Sequence, residues 1–350
     1  MRGKKDRAWM PWLMALAIAA LPVAQDVQAA PEKKAAASKQ VANGKTASRK
    51  VAKPANMAAK KAGTSRSARS KAASATRVAA VAARHAAHAG ASLEEAQNLV
   101  LQSASALVLD QSSGQLMFEK NADAVVPIAS LTKLMTAMVT LDAHLPLKEM
   151  LTISEDDVDT LKGTRSRLKV GTRLSREDML LLALMSSENR AASALARHYP
   201  GGREAFIQAM NRKARKLGMS ETQFADPTGL TSANVSSARD LVRLVDAAHR
   251  YPLIREFSTR TEYEVEIDGR PQLFRNTNAL VRSPQWEIGL SKTGFINEAG
   301  KCLVMQAWIG GKPTIIVLLD SWGKMTRIGD ANRIKRWVES VAVASRLLEG

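Results

Sequence analysis

Three short motifs in the chain carry side chains that together could catalyse acyl transfer. They are an SxxK pair, an SxN pair and a KTG triplet: Ser130 with Lys133, Ser187 with Asn189, and Lys292 with Thr293 and Gly294. A serine hydroxyl is a weak nucleophile at neutral pH, so a neighbouring group must accept its proton during attack on a carbonyl. Lys133 could do so only as the neutral amine. We therefore expect a desolvated cleft, with Lys292 as a second positive charge, to lower the pKa of Lys133.

Each motif alone is weak, so its structural context has to select the functional copy. The SxxK and SxN patterns recur at Ser166, Ser321 and Ser232. Only Ser130 begins a strong helical pattern, with apolar residues spaced i, i+3, i+4, i+7 and i+8 from Leu131 to Val139, which predicts an amphipathic helix over residues 129–142. A serine and a lysine three residues apart share one face of such a helix. Its N-terminus favours the negative charge that develops during attack.

The other two motifs also lie where secondary structure could hold them rigidly. An apolar run over residues 179–185, preceded by the capping pair Ser175 and Asp178, predicts a helix that ends just before Ser187. The KTG motif occurs once, directly before two strongly apolar runs over residues 302–309 and 314–319. This position predicts an edge strand that lines a cleft.

Hydrophobic periodicity and turn residues predict the remaining elements. Strands are predicted over residues 104–109, 115–118 and 263–267, and helices over residues 203–217, 237–249 and 328–348. Strands at both ends of this region, with helices between them, predict one interlocked α/β (α+β) domain. Its antiparallel sheet would be built from both chain ends around a helical cluster.

The first residues of the chain are ordered like a secretory leader. Basic residues precede an apolar run from Trp9 to Val23, and the small-x-small site Val27–Ala29 follows. This order predicts a signal peptide over residues 1–29, cleaved after Ala29, and so export to the periplasm. An uncleaved membrane anchor is the alternative.

A basic segment separates this leader from the predicted domain at residues 91–350. Residues 30–90 contain nine lysines and five arginines against the single Glu32, so they carry +13 of the formal charge of +18. A segment of this composition cannot bury a core, and we expect it to be disordered. Export argues against a nucleic-acid partner, which leaves electrostatic contact with polyanions of the cell wall. A solvated linker without a specific partner is the alternative.

The sequence predicts neither a cofactor nor a metal site. The five histidines are dispersed, and the only close pair, His85 and His88, falls in the basic segment. The single cysteine, Cys302, cannot form an internal disulfide, so we expect the fold to depend on its hydrophobic core.

Residues from about 100 to 345 resemble the low-molecular-mass penicillin-binding proteins, the family of serine-type D-Ala-D-Ala carboxypeptidases and endopeptidases. Beyond the three motifs, the segments that carry the resemblance are Pro127–Thr136, Asp226–Leu230, Ser237–Asp240, Asn276–Leu280 and Gly289–Phe295. The resemblance implies the transpeptidase fold shared by penicillin-binding proteins and serine β-lactamases. It also implies peptidoglycan peptides as substrates and β-lactams as covalent inhibitors.

The resemblance also implies a role for each motif residue. Ser130 would be the nucleophile, Lys133 its base, and Ser187 the group that passes the proton to the leaving nitrogen. Asn189 would hold an amide carbonyl of the substrate, and Lys292 and Thr293 would bind the carboxylate beside the scissile bond. Gly294 and Phe295 complete the substrate-binding set, with the oxyanion bound by the backbone N–H groups of Ser130 and Phe295.

The chain continues for 56 residues after Gly294, which the two predicted strands and the last helix occupy. Larger carboxypeptidases of this family continue into a second domain and a membrane anchor, so the short C-terminus favours an endopeptidase that opens D-Ala–diaminopimelate cross-links. A D-Ala-D-Ala carboxypeptidase is the alternative. A class A β-lactamase is less favoured, because no Glu between Asn189 and Lys292 is followed four residues later by Asn. A non-catalytic wall-binding protein would not need Ser130 and both lysines.

Overall fold

The computed structural model describes residues 99–323 and 325–349. The predicted signal peptide over residues 1–29 and the basic segment over residues 30–90 lie outside the described residues and stay predictions. None of the described helices is both long and apolar enough to cross a membrane.

A five-stranded antiparallel sheet in the order β2-β1-β11-β10-β9 forms the centre of the described domain. The strands are β1 (Ser105–Asp110), β2 (Leu116–Lys120), β3 (Val126–Pro127), β4 (Met150–Thr152), β5 (Arg173–Ser175), β6 (Val235–Ser236), β7 (Glu262–Ile267), β8 (Arg270–Arg275), β9 (Glu287–Ile296), β10 (Gly300–Ile309) and β11 (Lys312–Ser321). Strands from the two chain ends meet where β1 pairs with β11. The predicted sheet, built from both ends of the domain, is confirmed, and β9 is its edge strand.

Helices fill the interval between the two groups of strands. They are α1 (Lys133–Asp142), α2 (Arg176–Met185), α3 (Asn189–Arg197), α4 (Gly202–Lys216), α5 (Ala238–His249) and α6 (Pro252–Thr259), and α7 (Thr326–Glu349) follows β11. The predicted caps are present, since the hydroxyl oxygens of Ser175 and Ser237 accept hydrogen bonds from the backbone N–H groups of Asp178 and Asp240. Such caps satisfy N–H groups that have no partner within the helix.

Each face of the central sheet covers a hydrophobic core, as the alternation of strand side chains requires. Leu107 and Val317 point to the larger core, which the sheet shares with α1 to α6. Val108 and Ile316 point to the opposite face, where Ile334 of α7 covers them. The sheet is therefore sandwiched between the helical cluster and the C-terminal helix.

Helix α1 differs from the predicted amphipathic helix because it has no solvent face along most of its length. All eight residues from Lys133 to Thr140 are buried, since α2 to α5 surround the helix. Its polar face is satisfied internally: the hydroxyl of Thr136 donates to the carbonyl oxygen of Pro227 at 2.6 Å. The periodic pattern located the helix correctly, but the expectation that an amphipathic helix exposes its polar face to solvent was wrong.

Candidate active site

Ser130 lies in a single 3-10 turn, Ala129–Thr132, that leads directly into α1. Two glycines let other segments approach the backbone of this turn. A Cβ at Gly229 would lie 1.9 Å from the carbonyl oxygen of Ala129, and a Cβ at Gly294 would lie 3.2 Å from the backbone nitrogen of Ser130. Only glycine permits such contacts, so the 226–230 turn and strand β9 both pack against the serine.

Lys133 is one turn beyond Ser130, and its amine lies at the centre of the site. Its Nζ is 2.8 Å from Ser130 Oγ, 2.7 Å from Asn189 Oδ1 and 2.6 Å from the carbonyl oxygen of Thr228. The side chain is fully buried. The structure therefore brings together the SxxK and SxN motifs around a single lysine amine.

Burial lowers the pKa of Lys133 to about 7, against the nearby negative charges of Asp226 and Glu188, which raise it. Desolvation penalises the ammonium form, so a large fraction of this lysine is the neutral amine at neutral pH. Desolvation, which the sequence predicts, is the main cause, whereas the positive charge of Lys292 is not among the causes of the shift at Lys133.

Ser187 lies in the loop between α2 and α3 with a φ angle of +62°, which is uncommon for a residue other than glycine. This backbone conformation aims its hydroxyl across the cleft, where Ser187 Oγ accepts a hydrogen bond from Lys292 Nζ at 2.9 Å. Lys292 belongs to β9 and is almost completely buried. The SxN and KTG motifs are thus joined directly by one hydrogen bond.

Two other cations share this region with Lys292. Its pKa is lowered well below the usual value, first by burial and then by the positive charges of Lys133 and Arg327. Arg327, near the start of α7, donates to the carbonyl oxygens of Gly294 and Cys302 at 2.9 and 3.1 Å. Arg327 therefore supplies positive charge beneath the KTG segment, next to Lys292.

Asn189 is positioned by the 159–164 loop. Its Nδ2 donates to Thr164 Oγ1 at 3.1 Å, while its Oδ1 accepts from Lys133. The carboxylate of Asp159 holds this loop by accepting hydrogen bonds from the Lys162 and Thr164 backbone N–H groups. The orientation of the asparagine amide is thus fixed from both sides.

The same loop reaches across the rim of the cleft. Lys162 Nζ lies 2.5 Å from the carboxylate of Glu298, which follows β9 in the turn to β10. This ion pair joins the SxN wall of the cleft to the end of the KTG strand.

Strand β9 presents the remaining predicted residues at the cleft. Thr293 Oγ1 donates to Thr277 Oγ1 at 2.6 Å, which ties the strand to the segment after β8. Phe295 exposes about half of its side chain, with a relative accessibility of 55%. Because β9 is an edge strand, an extended peptide can lie alongside it.

Sequence reasoning missed several residues that complete the site. Glu188 is buried between the two SxN residues, and burial raises the pKa of its carboxyl group. Its Oε2 accepts a hydrogen bond from Ser166 Oγ at 2.6 Å. Ser166 thus belongs to the surroundings of the site as a support for Glu188. The sequence did contain a signal for the burial of Glu188, because the SxN motif follows directly on the apolar helix α2.

The 226–231 turn behind Lys133 is held by its own side chains. The Asp226 carboxylate accepts hydrogen bonds from the backbone N–H groups of Thr228, Gly229 and Thr231. Asn234 Nδ2 links this turn to Thr132 Oγ1 at 3.0 Å. The turn therefore presents the Thr228 carbonyl to Lys133 as a fixed acceptor. Over the residues that the structure describes, no cluster of His, Cys, Asp and Glu could hold a metal ion.

The fold and the close approach of a serine to a buried lysine are typical of serine acyl-transfer enzymes, and comparisons with known proteins identify the family. The family model described as D-alanyl-D-alanine carboxypeptidase matches residues 92–323, which is more than half of the chain. The chain therefore belongs to this family of serine peptidases. The predicted family and enzyme class are confirmed.

Several curated relatives are similar to the chain. A D-alanyl-D-alanine endopeptidase from Pseudomonas aeruginosa is 52% identical over 248 residues, covering 70% of this chain and 80% of that protein. One from Escherichia coli is 50% identical over 243 residues, covering 69% and 78%. A D-alanyl-D-alanine carboxypeptidase from Bacillus subtilis is 30% identical over 226 residues, covering 63% and 58%.

Solved structures confirm the predicted fold. The DD-transpeptidase of a Streptomyces strain superimposes with a TM-score of 0.64 at 28% identity, covering 69% of this chain and 98% of that chain. A penicillin-binding protein from Listeria monocytogenes in its cefotaxime-bound form gives a TM-score of 0.61 at 32% identity, with coverage of 69% and 98%.

Proposed function

We propose that this serine D,D-peptidase acts mainly as an endopeptidase that opens D-alanyl cross-links in peptidoglycan through an acyl-enzyme. The observation that carries the chemistry is the contact of 2.8 Å between Ser130 Oγ and the Lys133 amine, whose pKa is about 7. The similarity to the endopeptidases of Pseudomonas aeruginosa and Escherichia coli supports the preference for cross-links.

Acylation begins when the neutral Lys133 amine takes the proton of the Ser130 hydroxyl and Ser130 Oγ attacks the carbonyl carbon of the D-alanyl residue. The resulting oxyanion is stabilised by the backbone N–H groups of Ser130 and Phe295, and donors of this kind contribute roughly 100- to 1,000-fold in rate. The proton then passes to the leaving nitrogen by way of Ser187. The C–N bond breaks, and the acyl group stays on Ser130.

Substrate binding uses the other side chains of the cleft. Lys292 and Thr293 bind the carboxylate beside the scissile bond, in the positive region reinforced by Arg327. Asn189 holds an amide carbonyl of the substrate. Water then attacks the ester, Lys133 again accepts a proton, and the Ser130 hydroxyl is restored.

Carboxypeptidase activity is the second candidate, because the family model and the Bacillus subtilis relative are described by that activity. A terminal D-alanine presents the same carboxylate beside the same bond, so this site can accept either substrate. A β-lactamase is disfavoured, because no Glu between Asn189 and Lys292 is followed four residues later by Asn, and the buried Glu188 carboxylate accepts a hydrogen bond from Ser166. β-Lactams are therefore expected to act as covalent inhibitors.

Export to the periplasm belongs to this proposal and is supported by the leader-like order of residues 1–29. In that compartment, the basic segment over residues 30–90 would attract the polyanionic wall.

The proposal is tested by giving the purified protein equal concentrations of cross-linked muropeptide dimers and monomeric pentapeptide, with products read by mass. We expect dimers to be opened faster than terminal D-alanine is released. Rapid trimming of the monomer with intact dimers would establish the carboxypeptidase instead.

Variants test the assignment of the nucleophile and its base in the same assay. Ser130→Ala should abolish hydrolysis and covalent labelling by a fluorescent penicillin, and Lys133→Ala should remove both hydrolytic activities. Ser166→Ala and Ser321→Ala are the matched serine controls and should keep the penicillin label. A label that survives Ser130→Ala would contradict the assignment.

A further inference from the structure

A second concave surface, which we term the basic cavity, lies between the 166–169 segment and the tip of the β7–β8 hairpin. Its volume is about 580 Å³, and its lining includes the cations Arg167, Lys169 and Arg270 against the single carboxylate of Asp268. A concave surface dominated by one sign of charge concentrates ligands of the opposite sign. The cavity is therefore suited to an anion.

Two of these cations are available for a ligand. Within residues 99–323 and 325–349, neither Lys169 nor Arg270 has a carboxylate within 4.0 Å, and both are exposed. Arg167 is already engaged, because it donates to the Leu273 carbonyl and its Nε lies 3.8 Å from Glu188. Lys169 and Arg270 are thus the side chains that can pair with an incoming anion.

Both walls of the basic cavity continue into the active site. On one wall, Ser166 donates to Glu188, the neighbour of Ser187. On the other, β8 runs from Arg270 back towards Thr277, which contacts Thr293. The seven-residue path from Arg270 to Thr277 spans at most about 23 Å at the rise of a strand. The cavity therefore borders elements that also form the SxN and KTG walls of the cleft, at a distance that about seven extended residues would span.

The chemistry of the leaving group decides what could occupy this position. A terminal D-alanine ends at the carboxylate bound by Lys292 and Thr293. In a cross-link, the leaving group is a side-chain centre of diaminopimelate, and it continues into a second stem peptide that carries further carboxylates. We infer that the basic cavity binds a carboxylate of this second stem through Lys169 and Arg270, and so determines the preference for cross-linked substrate. This inference rests on the proposed function.

The test is the double charge reversal Lys169→Glu/Arg270→Glu, assayed on soluble muropeptide dimers and on monomeric pentapeptide. Reversal replaces two attractive contacts with repulsive ones, so KM for dimers should rise roughly tenfold in low salt, the scale of partly screened ion pairs. Hydrolysis of the monomer and acylation by penicillin should stay unchanged. The increase in KM for dimers caused by the double reversal should become smaller as salt screens the charges.

Two further variants sharpen the assay. Asp268→Asn removes the only carboxylate of the cavity and should lower KM for dimers, while asparagine still tolerates the positive φ angle of 53° at this position. Arg212→Glu on α4 is the matched control, because this exposed arginine has no ion-pair partner among the described residues. It should leave KM for dimers unchanged.

The inference would be overturned if the double reversal changed KM equally for monomer and dimer, or if Arg212→Glu raised KM for dimers as much as the double reversal does. Either result would indicate a general effect of protein charge. Failure of the proposed function gives a different result, namely that the wild-type enzyme leaves dimers intact. In that event, calorimetric titration of the Ser130→Ala protein with dimers still tests the cavity. Binding weakened by the double reversal supports it, and unchanged binding overturns it.

Discussion

Lys133 is surrounded by groups that shift its pKa in opposite directions. Complete burial favours the neutral amine, whereas the negative charges of Asp226 and Glu188 favour the ammonium form. Burial is the larger effect, and the resulting pKa of about 7 places the titration of the proposed base within the physiological range. A general base is most effective when its pKa lies near the working pH.

This balance predicts the pH dependence of acylation. Below pH 7 the amine is protonated and cannot take the Ser130 proton, so acylation by a penicillin should increase as the pH rises through about 7. Stopped-flow measurement of penicillin acylation across this range checks the prediction. A rate that is flat between pH 6 and 8 would contradict the role of Lys133 as the base.

Glu188→Gln provides the matched variant for the same measurement. It removes a negative charge that raises the pKa of Lys133 while keeping an oxygen that accepts the Ser166 hydrogen bond. The midpoint of the acylation profile should therefore move to lower pH. A purely structural role for Glu188 would change the amplitude and leave the midpoint in place.

Most of the individual site residues could be predicted from the sequence, because each of the three motifs is short and contiguous. The contacts of Arg327 could not, since this residue lies 33 positions beyond Gly294 in a helix whose pattern shows only amphipathicity. The Thr228 carbonyl was also missed, because no residue type marks a backbone acceptor. Contacts of this kind depend on the tertiary fold.

The turn over residues 226–230 shows how one element positions another. Gly229 has a φ angle of +81°, and its Cα faces the carbonyl of Ala129 so closely that a Cβ would lie 1.9 Å away. Gly171 has a similar φ angle of +89°, but a Cβ there would have no neighbour within 4 Å. Substitution of Gly171 therefore tests backbone strain alone, whereas substitution of Gly229 tests strain together with a steric collision.

We expect Gly229→Ala to lower the free energy of unfolding by at least about 3 kcal/mol, because a backbone collision adds to the cost of a positive φ angle. It should also abolish penicillin acylation, since the 3-10 turn that holds Ser130 has to move. Gly171→Ala should cost only about 1–2 kcal/mol, the penalty for a left-handed alanine. Urea unfolding measures both values, and equal losses would show that strain alone matters at Gly229.

The predicted elements were those whose signals are local. Helix α2 was located from its cap and its apolar run, and β7 from the alternation before Asp268, whereas its partner β8 was not predicted. Helix α3 was not predicted, and β3 and β6 were missed because strands of two residues exist only through their pairing. The pairing of β3 with β6 depends on contact between distant segments, and the local periodicity of the sequence carries no information about such contacts.

Charge is unevenly distributed over the whole molecule. Residues 30–90 carry +13 of the formal +18, whereas residues 91–350 carry only +3. The basic cavity is therefore a local feature of a nearly neutral domain, and the strong attraction to polyanions is predicted to belong to the segment that precedes it.

Deleting residues 31–90 separates these two contributions. The described contacts of the site all lie within residues 99–349, so the truncated enzyme should hydrolyse small soluble muropeptides at nearly the wild-type rate. Its retention on isolated cell wall should fall at low salt, because the segment carries most of the positive charge. Retention of the full-length enzyme should itself weaken near 0.1 M salt, where the Debye length shortens to about 10 Å.

A variant with the same segment in shuffled order is the matched control for this deletion. If attraction depends on charge alone, the shuffled segment should restore retention fully, since its composition and net charge are unchanged. Co-sedimentation with purified wall at several salt concentrations measures each variant. Unchanged retention after deletion would contradict the electrostatic tether, and a truncated protein that cannot fold would show that the domain begins before residue 91. Retention restored only by the native order would instead indicate a specific binding motif within the segment.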